Sequence, residues 1–304
     1  MNAIETSHLG RDFGRGRSRV TVVDDLNLVV PAGIVFGYLG PNGAGKTTTI
    51  RLLSGVLTPT RGTGRVAGFD LRQADAVKAR IGYANQSASV YRDLTVSENL
   101  RFKASLFLAP GLVQAAVERT IAALNLGAVR KVLAGELSGG WRQRLSIGTA
   151  VVQGPSIAFL DEPTAGLDPL ARRALWDVIY ELCAAGTTIF VTTHYMDEAE
   201  RCHELAMIAN GRILAQGTPA ALKKGLPGAY YELEPSDLAA AMREARKAPG
   251  VTDAWINGSR LRLAAAHPLP ADALGRLPAV AQPVAPTLED VFVALSSLEK
   301  EARA

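Results

Sequence analysis

Gly40-Pro41-Asn42-Gly43-Ala44-Gly45-Lys46-Thr47 decides the fold. A glycine, four residues and then Gly-Lys-Thr is the spacing of a loop that wraps a phosphate chain. Its flanks are those the chemistry requires: residues 34–39 form an apolar strand-like run, and residues 46–55 place Ile50, Leu52 and Leu53 within helical reach. Between strand and helix, glycines let backbone N–H groups close on phosphate oxygens, and the helix N-terminus adds a favourable dipole. Lys46 is expected to reach the β- and γ-phosphates and the Thr47 hydroxyl to ligate Mg²⁺.

Outward from the loop, residues 20–30 read as a strand ending at Pro31-Ala32-Gly33, with further strands at 65–69 and 80–84. Thr95-Val96-Ser97-Glu98 opens a helix with a capping-box pattern, and a mostly helical stretch follows to about residue 133. Ser138 is expected to cap a helix running to 152. Residues 156–160 form a short apolar strand, 169–185 a helix and 187–193 a buried strand. Such alternation predicts an α/β architecture with a largely parallel core sheet and its reactive loops at strand C-termini. A hairpin turns at Asn210-Gly211, a helix spans 219–224, and Gly225-Leu226-Pro227-Gly228 marks a boundary. The expected domains are therefore 1–224 and 229–304. The second reads as a small α+β extension: a strand at 230–234, a helix at 237–247, a hairpin over 255–263 and a closing helix over 288–302, with no chemical motif.

Composition agrees with a packed fold: 48% of the 304 residues are hydrophobic and 20% charged, which excludes a disordered or fibrous chain. The net charge of +4, from 33 basic and 29 acidic residues, is too small to propose a nucleic-acid partner. The arginine-rich stretch 11–19 reads as a solvated turn. Cys183 and Cys202 lie in helical segments without metal-ligand spacing, as suits a reducing cytosol. The first residues show no secretory pattern, and no apolar run approaches the roughly 18 residues of a membrane span.

Three further places carry chemistry. Asp161-Glu162 follows the strand 156–160. Alone the pair reads as a solvated loop. After a phosphate loop, one carboxylate suits the metal and the other, facing elsewhere, suits a water. His194 ends the strand 187–193 on the same sheet edge and reads either as structural or as a site residue. Ser138-Gly139-Gly140 at a helix N-terminus reads either as a plain cap or as a second anion site.

Together these residues resemble the nucleotide-binding subunits of ABC transporters, from residue 9 to about 224. Walker A resembles 40–47, the Q-loop Gln86, the signature 137–140, Walker B 157–161 with Glu162, the D-loop 165–168 and the switch His194, in the family's order. The resemblance implies an ABC-type P-loop NTPase fold with a RecA-like core, an antiparallel β subdomain and a helical subdomain. It also implies two chains sandwiching two MgATP head to tail, so that Ser138, Gly139 and Gly140 meet the γ-phosphate held by the other chain's Lys46. Glu162 would polarise the attacking water, His194 would hold the γ-phosphate in line, and Gln86 would sense the metal and couple to a transmembrane partner. The implied metal set is Thr47, Gln86 and Asp161. The implied nucleotide set adds Phe13 on the adenine, Gly40, Pro41, Asn42, Gly43, Ala44, Gly45, Thr48 and Asp168. Phe13 stands where tyrosine is common, Trp141 where glutamine is, and Asn85 where proline often precedes the Q-loop glutamine.

The runs LSGGWRQRL (137–145), THYMDEAERC (193–202) and TLEDVFVAL (287–295) resemble ABC-2-type exporter ATPases, which include drug-efflux and glycolipid-efflux subunits. That implies a homodimer at the cytoplasmic face of the inner membrane, docked on an integral-membrane permease of one or two kinds, with the extension in a dimer-contact or regulatory role. A soluble cassette ATPase of the cofactor-assembly type and an importer ATPase are the alternatives.

Overall fold

The computed structural model describes residues 1–87, 89–275, 277 and 279–301. Its apolar runs become the centre of a six-stranded sheet, in the order Arg212–Gly217, Glu204–Ala209, Val35–Leu39, Thr188–Thr193, Ile157–Asp161, Ile81–Ala84. All neighbours are parallel except the hairpin pair Glu204–Ala209 and Arg212–Gly217. Val35–Leu39, Ile157–Asp161 and Thr188–Thr193 are buried along their whole lengths, as parallel strands covered on both faces must be. Phe36, Tyr38 and Phe159 pack around Phe190 with ring centroids 5.3–5.6 Å apart, which fixes the central strands against one another. Trp176, fully buried on the helix Pro169–Ala184, fills the core on the other side.

A second, antiparallel sheet is built on Asn2–Phe13, which pairs with Arg61–Val66 on one side and with Val29–Pro31 and Val20–Leu26 on the other. This twelve-residue strand was not visible in the residue pattern. His8 takes a left-handed conformation (φ 49°) and the register slips between Leu9 and Arg11, so the period-two alternation that marks a strand is broken halfway. The arginine-rich turn is correspondingly shorter than expected, since Arg11 to Phe13 and Arg19 flank or belong to strands and only Gly16–Ser18 forms a single 3-10 turn.

The helices Val96–Ser105, Pro110–Ala123 and Gly139–Val151 pack together through Leu100, Val117, Ile121 and Leu145. Thr95 makes both bonds of the capping box: its hydroxyl accepts from Glu98 N at 3.3 Å, and Thr95 N donates to the Glu98 carboxylate at 2.8 Å.

The chain divides into two compact units, Met1–Thr218 and Pro219–Ala304. The helix Pro219–Gly225 falls in the second, where it packs against the closing helix Leu288–Glu301. Residue 302, expected in that helix, lies outside the described residues. The second unit is an antiparallel sheet in the order Val251–Asn257, Arg260–Ala265, Ala229–Leu233, Gln282–Val284, with the helix Leu238–Ala245 on one face. Its own core includes Tyr231, Leu233, Leu261 and Leu263. Buried Arg262 holds the closing helix through Asp290 at 2.9 Å. Among the described residues, no helix is long and apolar enough to cross a membrane.

Candidate active site

The strand Val35–Leu39 runs out into Gly40, whose N–H donates to Thr193 O at 3.3 Å and so ties the start of the glycine loop to the end of the neighbouring strand. Gly45 is required at the loop's far end. Its φ is 100°, and a Cβ there would stand 2.7 Å from the Val22 carbonyl. The helix Lys46–Leu53 then begins with no side-chain cap and no acidic residue in its first turn. Its first N–H groups and dipole are therefore available to an anion.

Lys46 is 5% exposed. Its ammonium donates to Gly40 O (2.8 Å) and Pro41 O (3.2 Å) and lies 3.1 Å from Glu162 Oε1. Asp161 closes its strand, 4% exposed, and accepts from the Thr192 hydroxyl at 2.7 Å. That hydroxyl in turn accepts from Glu162 N at 2.9 Å. Glu162 adopts a left-handed φ of 47°, an unfavourable conformation for a side chain of its size. Gln86 Nε2 donates to Glu162 Oε2 at 3.2 Å, and His194 Nδ1 stands 3.3 Å from the same oxygen without the alignment of a hydrogen bond. Lys46, Gln86, Glu162 and His194 thus meet, with loop residues 41–43, 45, 47 and 48 and Val22, around a cleft of about 390 Å³.

Beside it, a cleft of about 340 Å³ brings Thr47, Gln86 and Asp161 together. Burial, reinforced by the Asp161 charge, pushes the Tyr83 phenol at its wall above its ordinary pKa. A hydroxyl, an amide oxygen and a carboxylate are hard oxygen donors, and they suit Mg²⁺, which keeps water and phosphate oxygens for its remaining positions. Among the described residues no cluster of three or more His, Cys, Asp or Glu side chains could hold a metal without such help.

Five expected residues stand apart from these clefts. Ser138 occupies the N-cap position of Gly139–Val151, yet its exposed hydroxyl makes no capping bond, which corrects the expectation that it caps this helix. Gly139 and Gly140 lie beside it, against Leu167 and Ala171 of the segment that follows Glu162. Asp168 accepts from Leu170 N and Ala171 N, both at 2.9 Å, and caps its own helix. Phe13, 39% exposed, lies under the Arg11 guanidinium, 4.8 Å from its ring centroid, and does not line the cleft. Thr192, whose hydroxyl joins Asp161 to the Glu162 backbone, was not among the expected site residues. A threonine inside a buried strand carries no spacing signal.

Residues 23–165 match the family described as ABC transporter. The chain is 45% identical over 230 residues to the daunorubicin/doxorubicin resistance ATP-binding protein DrrA of Streptomyces peucetius, an alignment covering 74% of this chain and 68% of that protein. It is 42% identical over 223 residues to the Nod factor export ATP-binding protein I of Paraburkholderia xenovorans (strain LB400), covering 72% of each. Among solved structures, an ATP-binding subunit of an ABC transporter superposes with a TM-score of 0.64 at 29% identity, over 73% of this chain and 92% of that one. Identity at this level over more than two thirds of each relative places the chain, a cassette that binds and hydrolyses ATP, in the ABC transporter ATP-binding family, to which it belongs.

Proposed function

We propose that this chain is the ATPase subunit of an ABC-2-type exporter, acting as a homodimer around two MgATP and driving a separately encoded membrane permease for drugs or other small molecules. The observation that carries the proposal is the division of the site. Phosphate-directed groups line one cleft, while a second anion-binding helix end, with the Ser138 hydroxyl uncommitted, opens elsewhere on the same unit. A head-to-tail pair of chains satisfies both.

Within that arrangement Lys46 exchanges its carbonyl partners for phosphate oxygens and neutralises their charge. Glu162, freed from Lys46, accepts the proton of the attacking water, and His194, beside the other carboxylate oxygen, holds that water in line with the γ-phosphate. Thr47, Gln86 and Asp161 would hold Mg²⁺, which would draw off charge developing on the phosphates. Phe13, at the end of its strand, contributes the adenine contact, and Asp168 orders the loop that faces the second chain.

The export direction follows the two relatives, whose names specify drug resistance and Nod factor export. A groove of about 500 Å³, sharing Tyr83 with the cleft that holds Gln86 and lined also by Tyr91, Asn99, Phe102 and Lys103 among others, fits a short cytosolic helix of the permease. Ser89, Val90 and Tyr91, shortly after Gln86 in sequence, contribute to its wall. Such docking would hold the subunit at the cytoplasmic face of the membrane. The test is purification from detergent-solubilised native membranes with an ATP analogue present, followed by mass spectrometry. A stoichiometric polytopic membrane protein is expected, and soluble companions alone would contradict the transport role.

A further inference from the structure

We propose that Glu198 is a positioning residue for ATP hydrolysis, a buried carboxylate that locks the loop following Glu162 to the strand end that presents His194. The inference rests on the reading of Glu162 and His194 as the hydrolytic pair.

Glu198 sits on the short helix Met196–Ala199 and is 1% exposed. A carboxylate removed this far from water persists only when both oxygens have partners. Here the partners come from two different segments. The Thr164 hydroxyl donates to Oε1, and the Thr193 hydroxyl donates to Oε2 at 2.7 Å. Thr164 lies two residues beyond Glu162, and Thr193 immediately precedes His194. Each hydroxyl is itself buried, so neither has water as an alternative acceptor.

The bracket extends in both directions. Thr193 O accepts from Gly40 N at the start of the glycine loop, and the Thr193 hydroxyl also accepts from Tyr195 N at 3.0 Å. Arg172, on the helix that follows Asp168, brings Nε to 3.6 Å from Oε1 and lays its guanidinium 4.8 Å from the Tyr195 ring centroid. One side chain therefore joins the glycine loop, the segment carrying Glu162 and the residue before His194. Water attack needs Glu162 and His194 held together about one small molecule, and a misplacement of about 1 Å there costs on the order of a hundredfold in rate.

The experiment compares steady-state ATP turnover, nucleotide affinity and thermal stability of full-length variants. Thr164→Val and Thr193→Val remove the hydroxyl at equal volume, whereas Thr164→Ser and Thr193→Ser keep it and remove a methyl. Glu198→Gln removes the charge, and if that variant does not fold, the threonine series carries the test. The Val variants are expected to lose roughly a hundredfold in kcat with KM for ATP within about threefold of the parent, while the Ser variants retain most of their turnover. A packing role alone gives the opposite order, with Val tolerated and Ser damaging, and that result would overturn the proposal, as would wild-type kcat in the Val variants. Glu162→Gln separates the two levels: if it abolishes turnover while the Val variants hydrolyse normally, only the positioning role fails. If Glu162→Gln itself turns over normally, the hydrolytic reading fails and takes this inference with it.

Discussion

Asp12 is 7% exposed at the end of the first strand, and its carboxylate accepts from the hydroxyls of Thr21 (2.7 Å) and Thr60 (3.2 Å) and from the guanidiniums of Arg19 and Arg61. The Thr21 bond first and Arg19 next hold its carboxyl well below the usual carboxylate range. A folded-state pKa below the unfolded value gives stability that is complete above the unfolded value, near about 4, and is lost as pH falls through the folded one. Asp12→Asn should therefore lower Tm at pH 7, with the gap to the parent narrowing as pH drops below about 4. A gap unchanged between pH 7 and pH 2 would contradict this. Arg61 is 49 residues away in sequence, and no local pattern announces such a pairing. Glu198 was hidden for the same reason, since its hydroxyl partners lie 34 and 5 residues away on separate segments. Lys46 was expected from the glycine-loop spacing alone, the Asp161-Glu162 pair only after that loop, and His194 was left open by its local pattern; the structure brings Lys46, Glu162 and His194 to one cleft and Asp161 to its neighbour.

Elements were legible where one physical signal dominated. The core strands are continuous apolar runs because they are covered on both faces, and the glycine loop can only stand between strand and helix. Thr95-to-Glu98 predicted a capped start, and both bonds are present. Thr95→Ala should cost about 1 kcal/mol in a denaturant titration, and a loss indistinguishable from zero would mean that the helix is held by its packing against Gly139–Val151 alone. Where signals competed, the pattern failed. The bulge at His8 hid the first strand, and Ser138 occupies a cap position without making the bond. That unspent hydroxyl is the one proposed to meet a phosphate held by a second chain.

At the scale of the molecule, two units carry separate cores, and the boundary falls before Pro219 because the helix Pro219–Gly225 packs against the closing helix of the second unit. A turn-rich stretch at 225–228 was the stronger signal in the residues, but contacts along a helix outweigh it. A chain ending at Thr218 is expected to fold and to bind ATP within about threefold of the parent, a difference under ~0.7 kcal/mol; loss of binding on truncation would show that the second unit supports the site. The central claim, that Glu162 activates water in a site completed by a second copy, is most directly tested by Glu162→Gln at saturating ATP. Unchanged ATP binding, turnover reduced by about 10²–10⁴-fold, and a doubling of mass by light scattering that depends on ATP are expected. Normal turnover, or a variant that binds ATP and stays monomeric, would contradict that claim.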